Sequence, residues 1–263
     1  PRRFAATPLS QALREDAPHS VRHFLLMNGC EIYRAWGEAA HSVRTGSPAF
    51  ERVFGASHFD YLSEHPEAAA VFNRAMAEGA AGRAAALIDY AWEGISTVVD
   101  VGGGDATLLT RLLAAHPQLR GVAFDLPHAR EAAEATIGAA ALDGRCAFLT
   151  GDFFADPLPP ADAYLLAQIL HDWDDDRAGA ILRNCRRSLG DRGRLLLWEA
   201  IVPEGPEPHP AKLIDLQMLI VPGGRERTET EWRQLLAESG FRLTRTIPAG
   251  AGAVLEAVPG PAA

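Results

Sequence analysis

The sequence predicts an α/β protein with a mostly parallel sheet of seven strands, closed by a C-terminal antiparallel hairpin and preceded by a helical region. Three observations carry this prediction. From Ile95 onward, apolar runs of strand length alternate with helical stretches; the runs are apolar nearly throughout; and the last two flank a glycine-containing turn. Strand and helix in alternation argue for a parallel sheet covered on both faces, and strands buried on both faces read as continuous apolar runs.

Residues 1–94 form the helical region. Segments 20–40 and 66–92 carry apolar side chains at three- and four-residue spacing, among them Phe24, Met27, Ile32, Trp36, Phe72, Met76 and Leu87. Breaks at Gly46-Ser47-Pro48 and His65-Pro66 punctuate them. Residues 95–263 hold the sheet, with strands expected at 97–101, 121–126, 146–149, 163–170 and 193–201. Helices are expected between them at 108–115, 129–142 and 178–189. A further helix at 229–239 leads into strands 241–247 and 253–258, joined across Pro248-Ala249-Gly250-Ala251-Gly252.

Composition excludes several function classes. Acidic residues outnumber basic ones 34 to 25, for a formal charge of -9, which disfavours non-specific nucleic-acid binding and a polybasic membrane anchor. Cys30, Cys146 and Cys185 are too few and too scattered for a disulfide framework or a zinc site. No apolar run reaches the ~18 residues of a membrane span, and the start lacks a signal-peptide pattern. The expectation is a cytoplasmic protein acting on a small molecule, without nucleic-acid or membrane partners.

The sharpest motif is Asp100-Val101-Gly102-Gly103-Gly104-Asp105-Ala106, placed where the first strand ends and the first helix of the sheet region begins. Glycines there let backbone turn tightly and approach a ligand beneath the positive end of a helix. A dinucleotide site prefers Gly-x-Gly-x-x-Gly, but the sixth position is Thr107 and an Asp precedes the glycines. An acidic residue beside the loop suits S-adenosylmethionine, whose amino-acid tail carries an ammonium group. Asp125, ending the second strand, can bind ribose hydroxyls. Gly151-Asp152-Phe153-Phe154, ending the third, pairs an acid for an adenine amine with an aromatic for its face.

The fourth strand leads to Leu170-His171-Asp172-Trp173-Asp174-Asp175-Asp176. His171 therefore stands at the sheet's ligand-binding edge, where proton transfer would occur. Asp174–Asp176 most simply cap the following helix, so no metal is expected. Glu199 ends the fifth strand, and Glu226 lies in the loop Pro222-Gly223-Gly224-Arg225-Glu226-Arg227-Thr228.

Together and in this order, these motifs resemble the S-adenosylmethionine-dependent O-methyltransferases of the plant caffeate type, and more closely their bacterial branch acting on polyketides and other secondary metabolites. The resemblance implies a class I methyltransferase, Rossmann-like fold. By it, Gly102 and Gly104 line the cofactor's methionine tail, and Asp125 with Leu126 holds the ribose side. Asp152 and Phe153 hold the adenine, and Ala167 offers only backbone where the family has Lys or Ser. His171 is the general base, flanked and oriented by Glu199 and Glu226. Asn73, Met76, Asp172, Asp215 and Met218 contact an aromatic hydroxyl acceptor. The family dimerises through an N-terminal winged-helix domain, whose last wing and exit helix residues 4–14 resemble, and Ala106 replaces a motif glycine. The runner-up reading is a methyltransferase fold that has changed or lost its chemistry, hydroxylating or only binding cofactor.

Overall fold

The computed structural model describes residues 3–17 and 20–260. Its helical region comprises α1 (Pro8–Gln11), α2 (Arg22–Gly29), α3 (Glu31–Trp36), α4 (Ala39–Thr45), α5 (Ala49–Phe54), α6 (His58–Glu64) and α7 (Pro66–Ile88). The helix expected over 20–40 is thus three pieces, because Cys30 leaves helical geometry (φ -107, ψ -109) between α2 and α3. Residues 3–14 hold α1, capped by Thr7 with a reciprocal Ser10 bond. Met27, Ile32, Ala35, Phe50 and Ala75 form the core of this region.

The sheet contains β1 (Thr97–Val101), β2 (Arg120–Asp125), β3 (Cys146–Thr150), β4 (Ala163–Ala167), β5 (Arg194–Glu199), β6 (Phe241–Ala249) and β7 (Gly252–Pro259). Their order is β3-β2-β1-β4-β5-β7-β6. The first five strands pair in parallel, and β7 inserts antiparallel between β5 and β6. One face is covered by α8 (Thr107–Ala115), α9 (Arg130–Ala139) and the end of α7, through Leu87, Tyr90 and Trp92. The other carries α10 (Asp175–Ser188) and α12 (Glu229–Glu238). A last helix, α11 (Pro210–Ile220), places Ile220 in the core of the helical region.

β4 stops three residues before its expected end. Gln168 takes a left-handed conformation (φ 58), and Leu170–Asp172 form a tight helical turn. Ala106 is also left-handed (φ 60), at the N-cap of α8, with no side-chain cap. A Cβ in that region costs about 1–2 kcal/mol. Ala106→Gly is therefore expected to raise unfolding free energy by about 1 kcal/mol, read by denaturant titration; an unchanged or lowered midpoint would show that the buried methyl outweighs the strain.

Candidate active site

Loops from five strand and helix ends converge at the carboxyl edge of the sheet, where strand order reverses between β1 and β4. Loops diverge at such a switch point and leave a crevice for a ligand. The loop after β1 turns at Gly102 (φ 75) and Gly104 (φ 53). A Cβ on Gly102 would sit 2.5 Å from Cδ1 of Ile169, so only glycine lets this loop touch the one after β4. Gly104 has open space in that direction, and its amide donates to Oδ2 of Asp125 at 2.8 Å. The Leu126 amide donates to the other oxygen at 2.6 Å. Burial raises the Asp125 carboxyl, and the two amides oppose that shift. Beneath the loop, buried Asp100 has no partner for Oδ2; burial pushes its carboxyl up to about 7, and Asp125 adds to this.

After β3, Asp152 accepts from the Phe154 amide at 2.8 Å. Phe153 is half-buried, its ring edge-on to Phe154 and Trp173.

The turn after β4 presents His171, buried together with Glu199 and Glu226. Nδ1 of His171 lies 2.7 Å from Oε1 of Glu226 and 3.9 Å from Oε2 of Glu199, while Nε2 is 3.5 Å from Oδ1 of Asp172. An ionised carboxylate can only accept, so Glu226 fixes the proton on Nδ1 and leaves Nε2 as the position that exchanges. Glu199 is held by the Leu170 amide at 3.0 Å, and the second oxygens of Glu199 and Glu226 have no partner. Burial alone would push the imidazole down; the carboxylates of Asp172, Glu199 and Glu226 outweigh it and raise His171 to about 10. Burial raises Glu199 to about 8 and Asp172 to about 6, each opposed by the imidazolium. One ligand atom from each of His171, Glu199 and Glu226 lies within 4.8 Å of the others, a spacing a cation could use. The 2.7 Å contact is also the length of a charge-assisted hydrogen bond, which needs only a proton.

The loop that brings Glu226 lies flat on this turn. A Cβ on Gly224 would be 2.1 Å from the His171 carbonyl oxygen, so glycine permits the approach. The Arg225 amide then donates to that carbonyl at 2.9 Å, and the Glu226 amide to Oδ1 of Asp215 at 2.9 Å. The Arg227 guanidinium, fully buried, donates to Oδ1 of Asp175 (2.8 Å) and to the carbonyls of Trp173 (3.0 Å) and Leu170 (3.2 Å). The helical region meets the site where Phe59 stacks on Trp173, with ring centroids 5.6 Å apart.

Residues 36–242 match the family described as the O-methyltransferase domain. The chain belongs to that family. Among its relatives, the phenazine O-methyltransferase of Lysobacter antibioticus is 44% identical over 258 residues, covering 97% of this chain and 76% of the relative. The O-demethylpuromycin O-methyltransferase of Streptomyces alboniger is 43% identical over 250 residues, covering 92% and 66%. Among solved structures, LaPhzM superposes with a TM-score of 0.92 at 44% identity, covering 97% of this chain and 78% of that one. A neocarzinostatin-biosynthesis O-methyltransferase, solved with S-adenosylmethionine and 2-hydroxy-5-methyl naphthoic acid, superposes at 0.85 with 36% identity, covering 96% and 77%. The sheet with its parallel centre and antiparallel end is the class I methyltransferase fold, and the chain is an S-adenosylmethionine-dependent O-methyltransferase.

The site fits that cofactor on its own chemistry. Gly104 leaves the backbone uncovered, and Asp100 is a buried acid lacking a donor, which suits an ammonium-bearing tail. Asp125 keeps lone pairs for a hydroxyl beyond its two amide bonds. Leu126 is exposed at the loop edge, and Ala167 ends β4 half-buried.

His171, Glu199, Glu226 and Asp172 form one cluster, of which only Glu199 ends a strand. Of the other expected acceptor contacts, Met76 is half-buried against the helical core, while Asn73 is exposed on α7. Met218 is buried, and its carbonyl takes the Gly223 and Gly224 amides. Asp215 is committed in part to the Glu226 amide and so supports the loop. Sequence reasoning missed Arg227, which lies inside a motif already singled out; an arginine beside the Glu at a loop end was the available signal.

Proposed function

We propose that this O-methyltransferase transfers the cofactor's methyl group to a phenolic hydroxyl of an aromatic secondary metabolite, with His171 as general base. The observation that carries the reading is the buried His171–Glu226–Glu199 cluster, which supplies an oriented base at the switch point. Relatives named for phenazine, 3-amino-4-hydroxybenzoate and dihydroxynaphthoate acceptors support the aromatic class.

When bound, S-adenosylmethionine supplies a methyl group already activated by its sulfonium, which leaves alignment and proton removal to the protein. Gly102, Gly104, Asp125, Leu126, Asp152, Phe153 and the backbone of Ala167 would hold it. Asn73, Met76, Asp172, Asp215 and Met218 would border the acceptor. Once Nε2 of His171 has shed its resting proton, it accepts the proton of the acceptor hydroxyl as that oxygen takes up the methyl group, the C–S bonding pair leaving with S-adenosylhomocysteine. Glu226, bonded to Nδ1, and Glu199 beside it hold the imidazolium that forms.

A phenol near pKa ~10 and an unperturbed imidazole near ~6.5 would leave a gap of about 4–5 kcal/mol. The carboxylates around His171 bring it to about 10 and close most of that gap. The test is incubation with isotopically labelled S-adenosylmethionine and a panel of phenolic polyketides, hydroxynaphthoates and catechols. The expected product carries one labelled methyl on a hydroxyl oxygen. Hydroxylated product, or bound cofactor with no transfer to any panel member, would overturn the reading.

A further inference from the structure

Helix α7 sends one cation into the cofactor crevice. The Arg83 guanidinium donates from Nη1 to Oε1 of Gln168 at 2.7 Å and from Nη2 to the Met76 carbonyl at 2.7 Å. It folds back over Gly79, where a Cβ would lie 2.8 Å from Nη1. Its Nε is buried without a partner. Both groups that it does bond are neutral, so three of its five N–H donors remain and the charge has met no anion. Burial depresses the guanidinium, and Asp100, Asp105 and Glu199 act on it only through space, in the raising direction. Such an unpaired cation is unfavourable until a ligand brings it an anion.

The place of this cation identifies the ligand group. Gln168 follows the last residue of β4, and Ile169 touches Gly102, so Arg83 is tied to the contact between the glycine loop and the His171 turn. Across that contact lies Asp100, whose Oδ2 lacks a donor. A buried cation lacking an anion and a buried acid lacking a cation, anchored to the same two loops, complement an amino-acid zwitterion. A guanidinium's planar fork suits a carboxylate, and neither Ala167 nor Gln168 supplies a positive charge there.

We propose that Arg83 receives the α-carboxylate of the bound cofactor, opposite Asp100, which faces its α-ammonium. The assignment rests on the reading of this crevice as the S-adenosylmethionine site.

Isothermal titration of the full chain with S-adenosylhomocysteine and with its decarboxylated analogue tests it. The parent protein binding S-adenosylhomocysteine supports the site reading, and failure to bind would overturn that reading first. Given binding, Arg83→Met is expected to lose ~10–100-fold in affinity for S-adenosylhomocysteine, the range for one charge-assisted contact. Its affinity for the decarboxylated analogue should match the parent's. Arg83→Lys, which keeps charge without the fork, should recover part of the loss and shows that the position tolerates substitution. Undiminished S-adenosylhomocysteine binding in Arg83→Met would overturn the proposal while leaving the site reading intact. Equal losses for both ligands, or a loss confined to a carboxylated acceptor, would overturn it as well.

Discussion

Replacing His171 with Ala is expected to lower turnover at least ~100-fold while leaving affinity for S-adenosylhomocysteine unchanged. The size follows from the base's position: Nε2 is the exchangeable nitrogen, because Glu226 holds Nδ1 at 2.7 Å. Near-parental turnover would remove His171 from the mechanism. The same cluster sets a pH dependence. The raised imidazole rests protonated, and it must lose that proton before accepting another. Activity should therefore climb with pH through the alkaline range, toward the value of about 10 to which the carboxylates raise His171. At neutral pH the barrier has moved from proton transfer to loss of the resting proton. Glu226→Gln removes a charge that raises His171, so the imidazole falls and the rising limb shifts to lower pH. Its maximum rate should fall too, since the imidazolium loses its bonded anion. Rate profiles of both proteins decide this, and an unmoved limb would mean that Glu226 does not set the basicity of His171.

Arg227→Met is expected to cost about 3 kcal/mol of stability and most of the turnover. The guanidinium is fully buried and ties three segments together: the His171 turn through Leu170 and Trp173, the start of α10 through Asp175, and its own loop. Removing it takes the donor from the carbonyls of Trp173 and Arg225, each at about 1–3 kcal/mol, while Leu170 keeps the Trp173 amide and the partly exposed Asp175 is resolvated. His171 and Glu226 lie on opposite sides of this tie, so turnover should suffer even well below the melting temperature. Arg227→Lys should rescue little, because a point charge does not span three acceptors. Thermal melts with turnover at low temperature read both effects; parental values for both would show the tie to be idle.

Hydrophobic runs placed the sheet well, and β1 matches its expected span residue for residue. They located the strand ends where Asp125, His171 and Glu199 emerge, because a buried parallel strand advertises itself by composition. Backbone exceptions were less legible. Nothing apolar marks Gln168 as left-handed, so the fourth strand was read through to Leu170. Replacement of a motif glycine by Ala106 gives no sign in the sequence that its φ is 60, which glycine adopts freely. The helical region was the hardest, since periodicity continues across Cys30 although the helix does not. Roles that depend on distant partners were invisible for the same reason: Arg227 needs Asp175 and Trp173 in place before it means anything, and Arg83 needs Gln168.

The insertion of β7 between β5 and β6 has a consequence for biosynthesis. Glu199 pairs with Ala253, and a Cβ on Gly252 would sit 2.5 Å from the Glu199 carbonyl. The wall behind this buried carboxylate is thus made of residues translated long after it. A nascent chain that has emerged only through β5 exposes that strand as an open edge, a template for pairing with another chain. It also holds His171 without Glu226. The loops that border the cofactor crevice are therefore translated well before the carboxylate that bonds Nδ1 of His171.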